Sequence, residues 1–200
     1  QFKPGVSAIL FQLKFAAGIA LWMIYTFYYT DTSKNDAYKF YNNAKTLHEL
    51  SQTHPSEFIQ LMFTSSAPSS SSLLTHWERN FDEAPINENR TAIRLQTLIM
   101  FVSGGVYPIH ILLMCLLSWI GIVLFVNATA SFTYNKDNWY WLSIITLPSF
   151  MFWSSGVMKE PLIVLGLGLF ISGLFNKKYV LLASGVLILA ASKFYLLLCL

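Results

Sequence analysis

Hydrophobic positions along this chain fall into long runs separated by polar stretches, not into the one-sided or alternating pattern of a fold that faces water. The first run lies within residues 1–29. It reads as an interfacial start around Lys14, Val6 to Phe15, leading into a crossing segment Ala16 to Tyr29. Tyr25, Phe27, Tyr28 and Tyr29 close it, forming the aromatic belt expected where a helix leaves a bilayer. The run is too long for the apolar core of a signal peptide, and no small-x-small cleavage site precedes Thr30, so it is expected to stay. Runs at Ile109–Val126, Trp139–Trp153, Pro161–Phe175 and Tyr179–Ala191 predict four further spans. Pro148 should bend the third span of the five, while Gly166, Gly168 and Gly173 should let the fourth approach a neighbour closely.

The stretch from Thr30 to about Ala92 is polar and mixed. Within it, Ala37, Phe40, Tyr41, Ala44, Leu47 and Leu50 recur at three-and-four spacing, which predicts an amphipathic helix capped by Asn35 or Asp36. A second short helix is predicted over Pro55 to Phe63, then a flexible serine-rich loop over Ser65 to Ser72. Ile93 to Val102 is apolar on one side with Arg94 and Gln96 on the other, ended by Gly104, Gly105 and Pro108, and is expected to lie along the membrane or dip into it.

The third and fourth runs meet at a short polar hinge carrying Ser154, Ser155, Gly156, Lys159 and Glu160. An ionised carboxylate in hydrocarbon costs about 2.5–3.5 kcal/mol even on lenient insertion scales, so the hinge should sit at a membrane surface or in a watered cavity. Pro161 then suits the first turn of a helix, with Glu160 at its positive end.

Composition agrees: 54% of residues are hydrophobic and only 12% charged, about half the share usual in soluble domains. A net charge of +3, scattered along the chain, gives no argument for nucleic acid. Cys115 and Cys199 both lie in apolar runs and read as small packing groups. Lys3 and Lys14 before the first span, Lys136 after the second, and Lys177 with Lys178 after the fourth would all be cytoplasmic, with the N-terminus inside. The Thr30–Ala92 loop, the Lys159–Glu160 hinge and Lys193 would then share the external side. No span then carries a charge at mid-membrane, which disfavours a transporter. The chain stops at Leu200 inside an apolar segment, and is expected to be the N-terminal part of a longer protein, or its only ordered part.

An acidic pair after span one, an acid between spans three and four, and a lysine ending span five occur in an order that resembles the glycosyltransferase-C superfold. The carrying segments are YYTDTSKNDAYKFY with Asp31 and Asp36, SGVMKEPL with Glu160, and AASKFYLLL with Lys193. Together with THWERNFDEAPINENRTAIR and PSFMFWSSGVMKEPL they also look like multi-span proteins of the Bacteroidetes type. The chain departs from the superfold in two respects: Asp31 and Asp36 are five apart instead of adjacent or one apart, and glutamate stands where aspartate is usual.

The resemblance implies transfer of a sugar from a polyprenyl-phosphate donor to an external acceptor at a bacterial inner membrane. Asp36, Asp31 and Glu160 would be the catalytic acids, with Asp36 as base. Arg90, Arg94, Lys159 and Lys193 would hold phosphate, while Trp77 and His76 belong to a loop segment suited to a polar ligand. No metal-ligand spacing is visible, although some members use a divalent metal that Asp, Glu, His48 or His76 could hold.

Each of these residues has a plainer role open to it. Asp36 could cap a helix, and Glu160 could favour a helix start and pair with Lys159. Arg90 and Arg94 could anchor at lipid headgroups, Lys193 could snorkel, His110 could be hydrogen-bonded in the interior, and Trp77 and Trp153 could be surface aromatics. The expected fold is all-α: a polytopic transmembrane helical bundle with a large external loop containing amphipathic helices. It divides into a first span at 1–29, the loop at 30–107 and spans two to five at 108–200. A non-enzymatic subunit of an envelope assembly or secretion machine, binding a protein partner through the loop, is the alternative function, and a polysaccharide polymerase or ligase of related topology a third.

Overall fold

A computed structural model of the chain describes residues 4–29, 35–64, 88–130, 142–143 and 145–199. Every regular element among them is a helix. Helix α1, Pro4–Met23, continues through a π-helical turn, Ile24–Tyr28, and α5, Tyr107–Thr129, runs back alongside it. Between them come α2 (Asp36–Thr53), α3 (Pro55–Phe63) and α4 (Glu88–Ser103). After α5 follow the six-residue α6 (Pro148–Trp153), then α7 (Glu160–Phe175) and α8 (Tyr179–Lys193), which passes into a 3₁₀ segment, Phe194–Cys199. Three stretches are long and apolar enough to cross a bilayer: Pro4–Tyr28, Tyr107–Thr129 and Tyr179–Leu197. Helix α7 is apolar but has only 16 residues, about 24 Å of helix.

Helices α1 and α5 are antiparallel, as their contacts step down both chains: Trp22 stacks on Tyr107, Gly18 faces Ile111, the Lys14 carbonyl lies by Cys115 and Phe11 meets Trp119. Helix α7 packs on α5 through glycine on glycine, since a methyl on Gly168 would fall on the Gly121 backbone. Helices α7 and α8 form a hairpin closed by a tight turn in which Lys177 takes a positive φ of 54°. Gly173 meets Leu182 and Gly166 meets Leu189, the close approach foreseen from the glycine stripe.

Two sequence expectations change here. Residues 6–15 are not set apart as an element of their own: α1 is one continuous helix, and Lys14 lies near its middle with no exposed surface. A lysine therefore lies within a helix long and apolar enough to cross a bilayer. The anticipated third span, Trp139–Trp153, begins outside the described residues. Its described part ends in a six-residue helix that is too short to cross, followed by a buried irregular stretch, Ser154 to Lys159. That stretch can exist among apolar helices only where its backbone groups find partners inside the protein.

Helix α4 buries polar residues alongside the apolar Ala92, Ile93, Ile99 and Met100, and leaves large apolar residues outward. Arg90, Gln96, Thr97 and Ser103 are buried, whereas Leu98, Phe101 and Val102 are exposed, the polarity of a helix whose outer face meets something other than water. His110 of α5 explains the inward side. With its Nδ1–H donating to Gln96 Oε1 at 2.7 Å, its Nε2 accepts from Ser103 Oγ at 2.8 Å, so the interior hydrogen-bonding role is the one observed.

Candidate functional site

Helix α2 starts where it does because Asn35 caps it, its side-chain oxygen accepting from the Ala37 N–H at 2.9 Å. Asp36 is thereby released from capping and stands as the first helical residue, its side chain 70% exposed and 3.4 Å from Lys39. Aromatic packing fixes this end of α2 to the bundle. Tyr38 and Tyr41 lie against Tyr107, which stacks on Trp22; Trp22 Nε1–H donates to the Tyr38 hydroxyl at 3.0 Å, and Tyr41 donates to the Gly105 carbonyl. Burial, with Tyr38 adding to it, holds the Tyr41 phenol above its ordinary range, so it remains a donor.

A second set of residues arrives from the hinge. Ser154 to Met158 are buried as the chain leaves α6, and Val157 and Met158 pack with Leu21 of α1 and Ala37 of α2. This delivers Lys159 and Glu160 to the start of α2. The Lys159 ammonium sits over the Phe40 ring at 5.4 Å, and Glu160 faces Lys193 of α8 at 3.8 Å. Their side chains are partly exposed, Glu160 at 35% and Lys193 at 26%, so they face an opening and not a sealed core.

Asp36, Lys159, Glu160 and Lys193 therefore line one cleft of about 270 Å³, with Phe40 and Met158 among its apolar walls. Trp153, a half-exposed surface aromatic, also lines it. Glu160 pairs with Lys193 here, which its neighbour in sequence, Lys159, did not suggest.

The remaining sequence candidates lie elsewhere. Asp31, Trp77 and His76 fall outside the described residues. Arg90 is buried on α4 and is not part of the cleft wall. Arg94 holds the end of α3, donating to the Leu61 carbonyl at 2.8 and 3.1 Å and to that of Thr64 at 2.7 Å. Arg94→Ala is expected to loosen α3, whose last carbonyls lose their donor. Limited proteolysis near residue 64 should quicken, whereas an unchanged rate would show that Arg94 does not hold this end of the helix.

Phe40 and Tyr195 were not anticipated as cleft residues. Phe40 is legible only as one apolar position of an amphipathic helix, and Tyr195 only as part of a terminal apolar run. The three-residue clusters of His, Cys, Asp or Glu that a metal needs are lacking among the described residues, where His48 instead packs on Phe101. The cleft sets two ammonium groups among its two carboxylates, a donor set that fits a phosphate better than a divalent cation. No known protein family, curated protein or solved structure matches this chain.

Proposed function

We propose that this chain is a membrane-embedded enzyme that transfers a glycosyl group from a polyprenyl-phosphate donor to an acceptor hydroxyl. The convergence of Asp36, Glu160, Lys159 and Lys193 in one cleft is the observation that supports it, because these residues come from three separate parts of the chain. The cleft opens where the start of α2 packs beside Tyr25, close in sequence to the exposed aromatics Phe27, Tyr28 and Tyr29. Such a belt favours a level near the bilayer surface, where a lipid phosphate resides. In this reading the membrane is a bacterial inner membrane, the N-terminus is cytoplasmic and the cleft faces outward.

In the reaction, the acceptor O–H gives its proton to Asp36 and its oxygen bonds to the anomeric carbon. The bond from that carbon to the phosphate oxygen breaks, and polyprenyl phosphate leaves with the electron pair. Lys159 and Lys193 balance the charge that gathers on the departing phosphate. Glu160 holds Lys193 in place until phosphate competes for it.

Binding of a short-chain polyprenyl phosphate to the purified protein in detergent tests the phosphate role of the lysines. The Lys159→Met, Lys193→Met double variant should bind at least tenfold more weakly, as loss of charge-assisted hydrogen bonds worth about 1.5–3 kcal/mol requires. Equal binding by both proteins would remove the lysines from the site. Failure of the native protein to bind, together with a co-purifying envelope protein released by substitutions in α2 or α3, would favour the scaffold function.

A further inference from the structure

Lys14 is a fully buried lysine halfway along a helix that carries no other charge. A lysine at the centre of a spanning helix is costly, and groups of this kind are retained where they hold or do something. Its partners are neutral. The ammonium donates to the Ser154 carbonyl at 2.8 Å and to the hydroxyls of Ser154 and Ser155, with the Phe150 ring 5.9 Å away.

These bonds fall where the chain stops being helical. Ser154 and Ser155 follow the last residue of α6, so Lys14 takes a carbonyl released by that helix end. Other groups converge on the same two residues. Ser118 of α5 donates to the Ser154 carbonyl at 2.8 Å, and the Cys115 thiol lies 3.6 Å from the Ser155 carbonyl. Gly18, one turn beyond Lys14, gives the Ser155 carbonyl room, since a Cβ there would stand 2.8 Å from it. The first residues of the hinge are thus clamped between α1 and α5, four residues before Lys159 and five before Glu160 counted from Ser155.

We infer that Lys14 is a positioning residue. It anchors the irregular stretch Ser154–Lys159 to α1 and thereby sets where Lys159 and Glu160 stand relative to Asp36. The anchor reaches the cleft through the chain itself, as Val157 and Met158 pack on Leu21 of the same helix. Its consequence for catalysis rests on the function proposed above, whereas the geometric claim does not.

Cross-linking in a background with Cys115→Ala and Cys199→Ala separates the two. A flexible bis-maleimide should join the pair Asp36→Cys, Glu160→Cys, which spans α2 and the hinge. It should equally join Glu160→Cys, Lys193→Cys, which lies within the α7–α8 hairpin. Adding Lys14→Met should cut the first link at least threefold and leave the second unchanged, and Lys14→Arg should restore it. Ser154→Ala with Ser155→Ala, a milder change, should give a smaller loss of the first link alone. Unchanged linking at 36–160 in Lys14→Met, or equal loss at both pairs, would overturn the inference. Because no activity is read, the result stands apart from whether the cleft transfers sugar.

Discussion

Asp36→Asn should lower glycosyl transfer by about 10²- to 10⁴-fold, the range lost when a positioned general base is removed, with no fall in the amount of protein in the membrane. The substitution keeps size and hydrogen-bonding reach but removes proton affinity. Helix α2 should survive it, because Asn35 and not Asp36 supplies the cap. A carboxylate in the first turn adds only about 0.3–1 kcal/mol by facing the helix N-terminus, so a purely structural Asp36 would show as a small shift in melting temperature at full activity. Glu160→Gln should also depress turnover, by a different route. Lys193 loses its counter-charge and is no longer held at 3.8 Å, so donor affinity should change along with rate. The assay is incorporation of labelled sugar from a polyprenyl-phosphate donor in proteoliposomes. Full activity in both variants would end the catalytic assignment.

Gly168→Leu should be the most damaging single change to the fold. A Cβ on Gly168 would meet the Gly121 carbonyl and Cα, which are backbone atoms of α5 and cannot rotate away. Overpacking in a deformable core costs about 1–3 kcal/mol, and a backbone collision between two helices belongs at or above the top of that range. The contact matters beyond stability, because α7 begins at Glu160 and any shift of α7 moves the cleft. The variant should fail to yield a monodisperse peak in detergent or lose its melting transition. Gly5→Leu, where nothing lies within 4 Å of the added carbon, should behave like the native protein.

Much of the architecture was legible in the residues. The amphipathic stripe of α2, the boundaries of α3 and the glycine contacts of α7 follow from spacing that any packing must respect. Four of the proposed site residues, Asp36, Glu160, Lys159 and Lys193, could be picked out because charge is rare in an apolar chain and so conspicuous. Arg90 and Arg94 were picked out for the same reason and do not line the cleft, since charge alone does not say which neighbour a side chain will meet. Arg94 meets carbonyls at the end of α3, a partner set invisible in sequence because backbone groups look alike everywhere.

Lys14 shows the limit most clearly. An isolated lysine near the start of an apolar run fits an interfacial anchor as well as a buried clamp, and hydropathy averages cannot separate the two. What separates them is whether acceptors arrive from elsewhere, and here they arrive from residues 140 and 141 positions away.

The sequence by itself determined that the chain is helical and built of long apolar segments, because hydrophobic periodicity and run length are local properties. It also determined which few charges such a chain can carry. Only the tertiary structure decided that α1 is unbroken through Lys14, that the hinge is buried and not looped out, and that Asp36 faces Glu160 and Lys193 across one cleft. Those outcomes depend on contacts between residues more than a hundred positions apart, and a contact of that kind is fixed by packing and hydrogen-bond satisfaction over the whole bundle.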